Sequence, residues 1–142
     1  MRILGIDFGD RNIGLALSDP LGLTGQPLQT YRQAGQEEDA RFFRQLAEKH
    51  EINEIVIGIP VRLDGTPGRR VEKTRAFARW LEETLRLPVV FFDERLTTRQ
   101  AAHIMQDQKV RQRQRRAVEN QISASLILEG YLESRRKDSH AS

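Results

Sequence analysis

The chain has 142 residues, 38% hydrophobic and 30% charged, which fits one soluble globular domain with its own core and leaves two full domains cramped. It contains no cysteine, which excludes disulfides, thiolate zinc sites and cysteine nucleophiles and suits a reducing compartment. The net charge is only +3, but the pI is about 9.7 and the basic residues cluster, so a polyanion is the expected partner.

In chain order, residues 2–8 and 12–19 read as two strands, with Ile13, Leu15 and Leu17 alternating at period two. The link between them, "GDR", predicts a hairpin turn in which Gly9 is free to take positive φ. Residues 26–32 predict a third strand of weaker pattern. Residues 37–50 read as a helix, with acids in the first turn and Phe42, Phe43, Leu46 and Ala47 on one side. "INEIVIGIP" (52–60) is a fourth strand whose near-continuous apolar run predicts burial on both faces.

A loop with DG and PG turn signals spans 61–70. Residues 71–86 predict a helix from Val71, Thr74, Ala78, Leu81 and Leu85 at helical spacing, and Trp80 beside that stripe reads as packing rather than as a base-stacking platform. "LPVVFF" (87–92) is a fifth strand. Thr97 or Thr98 could cap a helix to about residue 106. The run "KVRQRQRR" (109–116) reads as a basic loop. A last helix, about 120–135, is apolar on most sides, and its Ser123, Ala124 and Ser125 would allow close approach to a sheet. The expected organisation is a single domain over 1–136 with a flexible tail at 137–142. Two hairpin strands, then strands alternating with helices, predict a mixed α/β sheet covered by helices. No apolar run reaches the roughly 18 residues of a membrane span. Met1 leads directly into a strand with no signal-type stretch before it, so a cytoplasmic location is expected.

The chemistry concentrates at three equivalent places. Asp7 ends the first strand, "LDGTPG" follows the fourth, and "DERLTT" (93–98) follows the fifth. Ligands of α/β sheets gather outside the carboxyl ends of parallel strands. If the first, fourth and fifth strands are parallel neighbours, Asp7, Glu94 and the 61–70 loop share one rim. Two carboxylates there repel, and a hard divalent cation, Mg²⁺ or Mn²⁺, removes the repulsion. Carboxylates, such an ion and a basic loop together point to metal-assisted hydrolysis of a nucleic acid.

The pattern GIDFGxxxIGLAxSD, GIPxxxDGTxG, PVxxxDERLTT, ILEGYL, spread over residues 3–132, resembles the YqgF family of the ribonuclease H-like superfold. Its members are described as Holliday-junction-resolvase-like and as nucleases maturing the 5′ end of pre-16S ribosomal RNA. The resemblance implies a ribonuclease H-like five-stranded sheet and a metal-dependent endonuclease with an acidic triad, of which Asp7 and Glu94 match. The third member does not match. The family usually has an aspartate at the start of the last helix, and alignment through ILEGYL places Asn120 there, beside Glu119. An asparagine oxygen can ligate a hard cation without bringing charge. Asn120 could equally be a helix N-cap alone.

Arg11, Arg69, Arg70 and Arg95 are candidates for phosphate contacts, because guanidinium offers bidentate geometry. Lys109, Arg111, Arg113, Arg115 and Arg116 would hold a backbone without reading sequence. Asp10, in a turn, is not expected to be a ligand. The expected partner is structured RNA, such as pre-16S rRNA or the small ribosomal subunit. Branched DNA and a non-catalytic binding role are the alternatives. The expected assembly is a monomer or a homodimer, with no membrane partner.

Overall fold

The computed structural model describes the backbone of residues 2–60, 68–94 and 112–141, with the side chains of all of these except 112–117 and 137–141. In chain order the elements are β1 (Arg2–Phe8), β2 (Asn12–Ser18), β3 (Gly25–Arg32), α1 (Gln36–His50), β4 (Ile52–Ile59), α2 (Arg69–Leu85), β5 (Val89–Asp93) and α3 (Gln112–Ala141). The strands form one five-stranded sheet in the order β3-β2-β1-β4-β5. β1 pairs antiparallel with β2 and β2 with β3, while β1–β4 and β4–β5 are parallel. The mixed sheet and the parallel neighbourhood of the first, fourth and fifth strands are both as expected.

Each face of the sheet has its own core layer. Leu4 and Ile6 of β1, Ile13, Leu15 and Leu17 of β2, and Ile55 and Ile57 of β4 pack against Phe43 and Leu46 of α1 and Ala78 and Leu81 of α2. Strand alternation sends Ile3, Ala16 and Val56 to the other face, where they meet Ala124, Ile127, Leu128 and Leu132 of α3. Ile55, Val56 and Ile57 are all fully buried, so the continuous apolar run of β4 does mark a strand covered on both sides.

Three glycines let α3 lie close to the sheet. A Cβ at Gly5 would sit 2.8 Å from Leu128 Cβ and 2.9 Å from the Ala124 carbonyl oxygen. At Gly25 it would lie 2.8 Å from the Ser125 carbonyl oxygen, and at Gly14 1.9 Å from that of Asn120. Residues 120, 124 and 128 are one face of a helix, and they rest in the gaps left by Gly14 on β2 and Gly5 on β1.

Several expectations change. Gly9 does not take positive φ; it is needed because a Cβ would meet the Asn12 carbonyl oxygen at 2.6 Å. The last helix begins at Gln112 rather than about residue 120, so residues 112–116 of the basic run are helical and not loop. Its backbone stays helical to Ala141, past the expected frayed end at 137. The helix expected at 97–106 lies outside the described residues. Among the described residues, no helix is long and apolar enough to cross a membrane.

Candidate active site

β1 alternates its side chains between the faces, so Asp7 looks toward α3 while its neighbours Ile6 and Phe8 look toward α1 and α2. Across the β1–β2 pair, Asp7 stands opposite Gly14. On its other side Ile6 pairs with Ile57, which brings Gly58 of β4 alongside Asp7. Asp7 therefore has a glycine on each neighbouring strand.

These two glycines have different tasks. Gly14 makes room for the α3 backbone at Asn120. Gly58 makes room for Glu94, the residue after β5: a Cβ on Gly58 would lie 2.8 Å from Glu94 Cγ and 2.9 Å from Glu94 Oε1. β5 and β1 are separated by β4, at about 4.8 Å per strand. Glu94 crosses that gap over Gly58 and hydrogen-bonds Asp7.

A hydrogen bond between two carboxyl groups requires a proton on one of them. Asp7 holds its proton tightly, with its pKa pushed up to about 8. Burial is the largest cause, followed by the charge of Glu94 and the hydrogen bond to it. Arg70 pulls in the opposite direction, and Glu119, exposed on α3, adds a smaller upward push. The donors at this corner of the sheet are hard oxygens, suited to Mg²⁺ or Mn²⁺. Among the described residues, no three His, Cys, Asp or Glu side chains form a ready-made metal cage.

The other expected residues divide clearly. Arg70, in the first turn of α2, places Nη2 3.5 Å from the Phe8 carbonyl oxygen, beside the acid pair. Arg69 precedes it and is exposed, as is Arg11 in the β1–β2 turn. Asn120 lies well inside α3, so it is not the N-cap that the sequence also allowed. Asp10 is exposed and bound to Lys73 at 3.3 Å. Arg95, Lys109 and Arg111 lie outside the described residues. Arg113, Arg115 and Arg116 are on the first turns of α3, and their side chains also lie outside them. Sequence reasoning missed Gly58. The available signal was a glycine inside an otherwise apolar buried strand, a common sign of close approach by another group.

A family model described as "RuvX: Holliday junction resolvase" matches residues 1–134. The chain belongs to the RuvX (YqgF) family. Curated RuvX relatives cover nearly its whole length. A protein of Halothermothrix orenii is 42% identical over 96% of this chain and 98% of its own. One of Syntrophus aciditrophicus is 46% identical over 94% and 89%. Both carry the name "Putative pre-16S rRNA nuclease". Among solved structures, Thermus thermophilus RuvC in complex with a Holliday junction substrate matches at TM-score 0.59 and 13% identity, over 96% of each chain. The fowlpox virus resolvase bound to Holliday junction DNA matches at TM-score 0.55 and 13% identity, over 94% of this chain and 98% of that one. The RuvX chain thus has the ribonuclease H-like fold of these resolvases.

Proposed function

We propose that this RuvX protein is a metal-dependent endonuclease that cleaves phosphodiester bonds in structured RNA, in the 5′-end maturation of pre-16S rRNA. The observation that carries the reading is the Asp7–Glu94 pair, built from two non-adjacent strands across a glycine. Two carboxyls driven together at the carboxyl ends of parallel strands are poorly placed for stability and well placed for a cation. The curated relatives' name favours RNA as substrate.

Asp7 and Glu94 would hold Mg²⁺ or Mn²⁺, with the Asn120 side-chain oxygen or Glu119 completing the donor set. When bound, such an ion stabilises charge building on a phosphodiester and lowers the pKa of an attacking water. As a ligand, Asp7 would have to give up its proton, so metal binding would be coupled to proton release. Arg70, already beside the pair, and Arg69 and Arg11 at the same rim engage phosphate oxygens. The basic run at 109–116 adds backbone contacts of no sequence preference.

The test is incubation of the protein with a pre-16S 5′ precursor RNA and with a four-way DNA junction, each with Mn²⁺ and with EDTA. RNA cleavage with Mn²⁺, absent with EDTA and absent in Asp7→Asn, is expected. Cleavage by Asp7→Asn equal to the parent overturns the site. The family description and the resolvase fold favour junction DNA as the second reading. Symmetric junction cutting needs two facing sites, so that reading also requires a dimer in solution. A non-catalytic binding role is separated by Asn120→Asp: a large gain of cleavage from near zero supports it.

A further inference from the structure

Behind the rim, on the opposite face of the sheet, residues of β1's end, the start of α1 and α2 line a cavity of about 390 Å³. That volume lies within the range of small-ligand pockets. Its walls are unusual for a surface cleft. Phe8, Phe77 and Trp80 line it, and none of the three is fully buried. Phe8 stacks on Phe77 with centroids 4.4 Å apart and 22° between planes, and Phe77 meets Trp80 at 5.8 Å. Polar groups sit beside these rings. Asp39 is buried yet lines the cavity, and Gln33 is held there by donating Nε2 to the carbonyls of Gly9 at 2.8 Å and Asp10 at 3.1 Å. Lys73, ion-paired with Asp10, supplies a cation at the wall.

We propose that this cavity takes one unpaired nucleobase of the substrate strand, next to the phosphodiester that Asp7 and Glu94 address. The aromatic rings give a stacking surface, Gln33 and Asp39 offer edges for hydrogen bonding, and Lys73 faces the sugar-phosphate. Phe8 follows Asp7 directly in β1, with its side chain on the opposite face, so the base site and the acid pair are separated only by the thickness of the strand's end. One flipped-out nucleotide spans such an edge. Pairing inside a duplex would hide the base, so the site favours RNA that is single-stranded at the cut. The position of this base relative to the cut rests on the nuclease reading above; the base-binding cavity itself does not.

Trp80 is the chain's single tryptophan, so its fluorescence reports on the cavity without reference to catalysis. Mononucleotides and a short single-stranded oligonucleotide are titrated, without divalent metal, into the parent, Asp7→Asn and Ala76→Phe. Ala76 is exposed on α2 at the cavity wall, so the phenylalanine fills the space without entering the core. Saturable quenching of Trp80 in the parent and in Asp7→Asn, weakened about tenfold or more by Ala76→Phe, is expected, since one base stack is worth that much. With the oligonucleotide as cleavage substrate, Ala76→Phe should raise KM and leave kcat near the parent's. Quenching by mononucleotide alone, with no effect of Ala76→Phe on KM, overturns the substrate assignment in favour of a free-nucleotide site. No quenching by any of the ligands overturns the cavity. If nothing is cleaved yet Trp80 is quenched, the nuclease reading fails and base binding stands.

Discussion

Glu94 hydrogen-bonds Asp7 from two strands away, and it does so by passing over Gly58. An aspartate at 94 would be too short to cross β4, and a side chain at 58 would block the path. The acid pair therefore depends on a residue that has no functional group of its own.

Gly58→Ala tests that dependence. The new methyl would lie 2.8 Å from Glu94 Cγ and 2.3 Å from Ile127 Cδ1. Both side chains must give way, and Glu94 is then displaced from Asp7. Cleavage should fall by about 100-fold, the scale set by misplacing a reacting group by an ångström. Stability should fall by about 1–3 kcal/mol through overpacking at Ile127. Turnover and thermal unfolding of the same preparation separate the two effects.

Asp7 makes the metal-free protein less stable as pH rises. Its native pKa is raised from 3.8 to about 8, so between those values the native state holds a proton that the unfolded chain has released. Stability is then complete below the unfolded value, falls through the window, and levels off above about pH 8. Asp7→Asn removes the slope. It should match the parent near pH 4 and unfold at a higher temperature than the parent at pH 8, while losing cleavage. Thermal melts from pH 4 to 9 in EDTA check this.

Divalent metal should act on the same pair in the opposite sense. Mn²⁺ held by the proposed pair would stabilise the native state and displace the proton from Asp7. The melting temperature of the parent should rise with Mn²⁺ at pH 7, with proton release measurable by calorimetry in buffers of different ionisation enthalpy. Asp7→Asn should show neither.

Tyr31→Phe probes the support of Asp39, which lines the aromatic cavity. Tyr31 donates its hydroxyl to Asp39 Oδ1 at 2.6 Å, and the Ala34 N–H donates to the same oxygen at 2.9 Å. Asp39 is only 7% exposed. Loss of one donor to a buried carboxylate should cost about 1–3 kcal/mol. Urea unfolding at pH 7 gives the value, with the denaturant slope unchanged.

Much of this was legible in the residues, and the reasons differ from place to place. The buried strand at 52–59 announced itself because a central parallel strand must be apolar on both faces. Asp7 stood out because a carboxylate interrupts an apolar run. The start of α3 was hidden by charge: Arg and Gln crowd residues 111–116, which looks like a loop, yet both are good helix formers. The same misreading produced the N-cap alternative for Asn120, eight residues inside the helix. Gly9 misled differently. A glycine in a turn suggests positive φ, but here it gives way to the carbonyl of Asn12. No one-dimensional pattern could have shown that Phe8, Phe77 and Trp80 converge, because strand and helix periods meet only after the sheet has formed.

At its far end α3 is tied down by Glu54, which accepts from the Tyr131 hydroxyl and pairs with Arg135 at 3.2 Å. Near the acids, its backbone is seated in the notches of the sheet. A slide of one residue would carry Asn120 about 1.5 Å along the axis and turn it by about 100°, and neither the notches nor the anchor permits that. The wall opposite Asp7 is thus set when the protein folds, and substrates must adjust to it rather than the reverse.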